Sequence, residues 1–172
     1  CQEQFFNQTI NYVDKPRKCK ASTSMVIDFV SDTQNLQFSV DTTVASTRTP
    51  CFFDVYQDDE LVAHCGYNVK EDGEVNAKVN FQAGQKRIRI FLPNLFEAQI
   101  KSFSIDDGAT FTPYKSTKKW LFLGDSITQG YVAEYPSKTY ANQVAFAFDA
   151  EALSWAIGGA VMIICSAQFA VM

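Results

Sequence analysis

The hydrophobic period of this chain changes once, near residue 117, and that change demands two kinds of layer. Before it, apolar and polar residues alternate. Leu36, Phe38 and Val40 alternate with Gln37, Ser39 and Asp41, the period of a half-buried strand. Val75, Ala77 and Val79 alternate in the same way with Glu74, Asn76 and Lys78. Phe53 and Val55 are separated from Leu61 and Ala63 by Gln57-Asp58-Asp59-Glu60, a polar hairpin turn. Lys86–Leu92, ended by Pro93-Asn94, and Ile100–Ile105, closed by Asp106-Asp107-Gly108, add two more strands. Short strands at this spacing, without a long helical stripe, predict an antiparallel β-sandwich, jelly-roll-like, over residues 1–117. The 15 Phe and 7 Tyr fit that reading, because aromatic side chains pack well on a pleated face.

After the change the pattern is that of an α/β layer. Residues 111–119, with Pro113, Ser116 and Thr117, read as a short linker. Trp120-Leu121-Phe122-Leu123 is apolar without interruption, as in a parallel strand buried on both faces. A helix is predicted from about Pro136-Ser137, with Tyr140, Val144 and Phe148 at i, i+4 and i+8 on one apolar face. Leu153–Ile157 is a second apolar strand, ended by Gly158-Gly159. Strand, helix and strand predict a βαβ unit, so residues 118–172 read as the opening part of an α/β domain.

Composition excludes several classes of function. Hydrophobic residues make up 47% of the chain and charged residues 20%, the balance of a globular protein. The net charge of −4 argues against a nucleic-acid partner. The one basic run, Lys15, Arg17, Lys18 and Lys20 around Pro16, reads as a solvated loop. Five cysteines lack CxxC spacing, and His64 is the single histidine, so no metal is expected. There is no GxxxxGK[ST] and no GxGxxG, so no nucleotide or flavin cofactor is expected either. Cys51 and Cys65 are candidates to meet across a hairpin. The odd cysteine count and the absence of a visible signal peptide favour a cytoplasmic location, with a secreted or lipid-anchored chain starting at Cys1 as the alternative. The apolar tail Ala156–Met172 is broken by Gly158, Gly159, Ser166 and Gln168 and is short for a membrane span, so it reads as core.

The segment that carries chemistry is Gly124-Asp125-Ser126-Ile127-Thr128-Gln129-Gly130. It follows the buried strand, and ligand sites in α/β sheets form beyond the carboxyl ends of strands. Gly124 and Gly130 permit tight bends that let the Ser126 side chain stand clear of the backbone. If Ser126 opens a helical turn, its own N–H points toward a developing oxyanion. Gly158-Gly159, at the end of the neighbouring strand, offers a second N–H without a side chain in the way. A serine is a weak nucleophile until a base takes its proton. No histidine follows Ser126 in these 172 residues, and His64, in a strand, reads as structural.

Trp120–Gly130 resembles the first conserved block of the SGNH/GDSL hydrolase family, with Ile127 where the motif name has leucine. Ala156-Ile157-Gly158-Gly159-Ala160 is similar to the second block. Phe53-Asp54-Val55-Tyr56, Leu92-Pro93-Asn94-Leu95 and Ile105-Asp106-Asp107-Gly108 resemble the β-sandwich that precedes the catalytic domain in some of these esterases. The resemblance covers most of residues 24–160. It implies an α/β/α, flavodoxin-like hydrolase domain cleaving carboxylic esters through an acyl-serine intermediate. The substrates it suggests are short acyl or acetyl esters of carbohydrates. Ser126 would be nucleophile and oxyanion donor, Gly159 the second donor, and Asp125 a support for the turn. The family's GxND asparagine and DxxH histidine have no counterpart here. The last twelve residues resemble no family segment, so the expectation is a chain cut short or frame-shifted after the second block and inactive alone. The alternative is a non-catalytic carbohydrate-binding or interaction module, with Phe52, Tyr56, Tyr67 and Trp120 as stacking faces.

Overall fold

The computed structural model describes residues 15–160. The alternation read from the sequence becomes two antiparallel sheets. In β2 (Asn35–Val44) every second residue from Leu36 to Val44 is buried. In β5 (Gly73–Asn80) the same holds for Val75, Ala77 and Val79. These two strands form a three-stranded sheet with β7 (Phe96–Ile105), in the order β5-β2-β7. The larger sheet has the order β4-β3-β6-β1-β8. It contains β1 (Val26–Ser31), β3 (Pro50–Gln57), β4 (Glu60–Asn68), β6 (Lys86–Phe91) and β8 (Thr112–Pro113). The polar turn at residues 57–60 joins β3 to β4 as expected, with Asp58 at φ 54°.

Inward residues of both sheets share one buried cluster, in which Phe29, Phe38, Phe53, Val79, Ile88 and Ile90 meet. Rings cross between the sheets, with Phe38 and Phe53 centroids 5.5 Å apart and Phe29 and Phe103 5.8 Å apart. Each fully buried side chain of this size contributes about 1.5–3 kcal/mol of transfer free energy. Residues 111–117 are more than a linker. Phe111 stacks on Phe29 at 4.6 Å, and Thr112–Pro113 pairs with β1. Cys51 and Cys65 are free thiols offset by two residues across the β3–β4 pair, where Cys51 faces Tyr67 and Cys65 faces Phe53. Burial pushes the Cys51 thiol up to about 11. Cys1 and Cys165 lie outside the described residues.

The remaining strands form a parallel pair. β9 (Lys118–Gly124) and β10 (Ala150–Ala156) run in register, with Trp120 opposite Ala152 and Gly124 opposite Ala156. Between them come α2 (Ser126–Gln129), a 3₁₀ turn (Pro136–Lys138) and α3 (Tyr140–Ala147). A short α1 (Lys15–Lys18) precedes the first sheet, where a solvated loop was expected. The helix also starts later than expected. Pro136–Lys138 is a separate 3₁₀ turn, and Thr139 caps α3 by accepting the Asn142 N–H. Its buried face is Ala141, Asn142 and Ala145. Tyr140 and Phe148 instead lie half-exposed over Phe122 and Trp120, at 6.1 and 4.8 Å. Small alanines let the helix approach, which bulky rings would prevent. β9 is not buried on both faces, since Leu121 and its register partner Leu153 are 40% and 41% exposed. The tail beyond Ala160 lies outside the described residues.

The parallel pair and α3 rest against the larger sheet. Arg87 donates to both carboxylate oxygens of Asp28, at 2.9 and 2.7 Å, and to Asp149 at 2.6 Å. The Arg89 guanidinium sits 3.8 Å over the Phe146 ring. Among the described residues, no helix is long and apolar enough to cross a membrane.

One carboxylate pins the β1–β2 connection to the end of β7. Asp106 accepts from the Asn35 side chain and from the Gln34 and Asn35 N–H groups. These bonds, the Asn35 amide foremost, hold its pKa down to about 2, from 3.8. A depressed carboxylate stabilises the fold fully above its unfolded pKa and loses that contribution as pH falls through the folded value. Asp106→Asn is therefore expected to flatten the loss of stability between pH 4 and pH 2, read as urea midpoints against pH. An acid limb as steep as in the wild type would refute this role.

Candidate active site

β9 ends at Gly124, and the chain turns at once into α2. The Asp125 side chain caps that turn by accepting the Ile127 N–H at 2.9 Å. Ser126 is the first helical residue and is half-buried. Gly124 owes its place to close approach, because a Cβ there would run into the Thr128 side chain. Gly130 closes the helix in the left-handed region, with φ 88°, a conformation that side chains with a Cβ resist. Its N–H returns to the Ile127 carbonyl at 3.0 Å. Asn94, 3% exposed, holds the turn from the strand-rich side. Its amide donates to the Gln129 and Gly130 carbonyls at 3.1 and 2.8 Å.

Gln129 joins this turn to the end of β10. Its side chain is 2% exposed, and Oε1 accepts the Gly158 N–H at 2.8 Å. Its Nε2 donates to the Lys18 carbonyl at 3.3 Å, and Lys18 Nζ donates to the Gly158 carbonyl at 3.2 Å. Gly158 therefore stands beside Ser126. A Cβ built on Gly158 would lie 3.7 Å from the Ser126 Cβ. Gly159 turns outward at φ 84°, with nothing within 4 Å of where its Cβ would be. Two backbone turns thus meet at the carboxyl ends of two parallel strands, with Ser126 on one of them and Gly158 beside it. This arrangement can present one nucleophile and backbone donors to a single small group.

His64 is committed elsewhere. Its Nδ1 lies 2.6 Å from Oδ1 of Asp54, which is fully buried. The other Asp54 oxygen accepts the Ser137 N–H at 2.8 Å. The imidazole stacks on Tyr135 at 3.9 Å. This one carboxylate thereby fastens the loop between α2 and α3 to the β3–β4 hairpin. Among the described residues, no group of three or more His, Cys, Asp or Glu gathers to hold a metal ion. Sequence reasoning singled out Asp125, Ser126 and Gly159 but missed Lys18, Asn94 and Gln129. Gln129 lies inside the motif and was within reach. Nothing in the sequence links Lys18 to a glycine 140 residues away.

No family model and no curated protein matches the chain. Solved structures do. The salicylyl-acyltransferase SsfX3 from a tetracycline biosynthetic pathway aligns with 91% of this chain and 45% of its own, at 22% identity and TM-score 0.74. A GDSL-like lipase from Bacteroides ovatus aligns with 92% and 50%, at 15% identity and TM-score 0.71. The chain has an SGNH/GDSL hydrolase-like fold. An acetyl xylan esterase from Butyrivibrio proteoclasticus is a further neighbour, with TM-score 0.56 and 19% identity over 77% of this chain and 40% of its own. The chain spans about half the length of these structures, 40–50%. These neighbours are an acyltransferase, a GDSL-like lipase and a carbohydrate esterase.

Proposed function

We propose that this chain is the front end of a serine esterase. Residues 1–117 form a β-sandwich, and residues 118–172 begin an α/β/α hydrolase domain with the βαβ unit β9–α3–β10. Ser126 is the nucleophile and donates its N–H to the oxyanion. Gly159 is the second donor, and Asp125 steadies the turn. The observation that carries this reading is the joining of the Ser126 turn to the Gly158–Gly159 turn through Gln129. The Gly158 N–H is already donated to that glutamine, so the oxyanion role falls to Gly159. The substrate class is a carboxylic ester, and the carbohydrate esterases among the neighbours favour an acyl or acetyl group on a sugar.

In the reaction the Ser126 oxygen attacks the ester carbonyl while the two N–H groups stabilise the charge on its oxygen. Removing one such donor costs about 10²–10³ in rate in enzymes of this kind. A base must accept the serine proton. His64 is held by Asp54, and no other histidine occurs in the 172 residues. The base therefore has to come from outside them, and turnover by this chain alone is negligible. Each of the four residues considered for sugar stacking packs on another ring. Phe52 packs on Tyr135, Tyr56 on Phe91, Tyr67 on Phe96 and Trp120 on Phe148.

A fluorophosphonate probe at high concentration is expected to label the chain slowly and once, with loss of at least about 90% of the signal in Ser126→Ala. The tenfold margin corresponds to about 1.4 kcal/mol of transition-state stabilisation. Labelling that survives the substitution would remove Ser126 from the role.

A further inference from the structure

The Gly158 carbonyl and the Gly159 N–H belong to one peptide unit, and that unit carries a cation. Lys18 Nζ donates to the Gly158 oxygen at 3.2 Å. Three hydrogen bonds close a ring here. Lys18 reaches Gly158, Gly158 donates to Gln129, and Gln129 donates back to the Lys18 carbonyl. Lys18 is half-buried, Gln129 and Gly158 are buried, and Gly159 faces open space. Both peptide planes flanking Gly158 are thus fixed, one by Gln129 and the other by an ammonium group. A positive charge on a carbonyl oxygen draws electron density through the amide resonance. The N–H at the other end becomes more acidic and a stronger donor.

We infer that Lys18 is a positioning residue that orients and polarises the Gly158–Gly159 peptide, strengthening the Gly159 N–H toward an anionic oxygen. Its use in catalysis rests on the reading of Gly159 as an oxyanion donor. The polarisation itself does not. It brings the short helix Lys15–Lys18 into the site, so Lys18 acts on the oxyanion apparatus rather than lying in solvent.

The test is amide hydrogen exchange at Gly159, measured by NMR in the base-catalysed regime on the full 172-residue chain. Wild type is compared with Lys18→Met, Lys18→Gln and Lys18→Arg. Hydrogen bonds with an ionised partner are roughly twice as strong as neutral ones. Loss of the charge should therefore slow Gly159 exchange by about threefold or more, as for a rise of roughly half a pKa unit in an acid. Arginine should restore the rate, and glutamine, a neutral donor, should not. Exchange that is unchanged or faster in Lys18→Met overturns the inference, because a lysine that only braces the turn would leave the amide freer when removed. Fluorophosphonate labelling of the same proteins separates the two readings. If wild type is unlabelled while the exchange pattern holds, the esterase reading fails and the polarised peptide stands. If Ser126 is labelled equally fast in wild type and Lys18→Met while the exchange pattern holds, the use of Lys18 in catalysis fails and the polarised peptide stands.

Discussion

Replacing Gly130 with alanine is expected to cost the folded chain about 2–6 kcal/mol and to displace Ser126. Two penalties add. Holding an ordinary residue at φ 88° costs about 1–3 kcal/mol. Forcing a methyl into a filled space costs about 1–3 kcal/mol more. The space is filled, because the new Cβ would run into Thr139 Cγ2 and lie 2.5 Å from Asn94 Nδ2. Asn94 is the clamp on this turn, so relief of the clash pushes away the side chain that holds the Gln129 and Gly130 carbonyls. Domains of this size are stable by about 5–15 kcal/mol, so the change should be plain in a urea midpoint. A loss below about 1 kcal/mol would mean that the turn re-forms without Asn94, and the clamp would lose its assigned role.

Asp54→Ala is expected to have an effect of similar size, about 2–4 kcal/mol, for a different reason. Asp54 is fully buried and serves two partners on different elements, His64 Nδ1 and the Ser137 N–H. A buried N–H left without an acceptor costs about 1–3 kcal/mol, and hydrogen bonds to a charged group contribute about 1.5–3 kcal/mol each. The Ser137 hydroxyl also accepts from Tyr56 at 3.1 Å, so the 3₁₀ turn ahead of α3 loses its main anchor but keeps one contact. Asp54→Asn should lie between, since an amide oxygen still accepts from Ser137. His64→Ala should cost least, because the imidazole is partly in water, with 30% of its side chain exposed. Equal losses for His64→Ala and Asp54→Ala would show that the carboxylate serves the histidine alone.

The parts of this architecture that were legible in the sequence are those set by local period. β2 and β5 alternate because one side of each strand meets the shared cluster, and the residues at 57–60 turn because Gln57 and three acidic residues sit between two apolar runs. The Ser126 block was legible because strand, Gly-Asp-Ser and a small-residue helix start arrive in order. What escaped the sequence depends on contacts between distant residues. The spacing of Tyr140, Val144 and Phe148 marked one apolar face of α3, but the residues it buries are Ala141, Asn142 and Ala145. The strand partner is close enough that Ala141 and Ala145 face it and the rings slide to the side. The basic run at residues 15–20 looked solvated because Lys, Arg and Pro favour water and turns. Only the fold brings Lys18 to a carbonyl 140 residues along. Gln129 in turn finds its acceptor role 29 residues away, at Gly158. β9 seemed fully buried because four apolar residues in a row suit a covered sheet, yet Leu121 and Leu153 remain exposed side by side.

In the proposed reaction Ser126 attacks an ester carbonyl from the turn at the end of β9. Acyl transfer to the protein tests it without requiring turnover, because a chain that lacks the base also releases its acyl group slowly. The chain would be incubated with p-nitrophenyl acetate, quenched in acid, digested and mapped by mass spectrometry. The expected result is one acetyl group on the hydroxyl of Ser126, its absence from Ser126→Ala, and its decrease in Gly130→Ala. An unmodified Ser126 peptide, with acetyl groups only on lysines or on other serines, would contradict it.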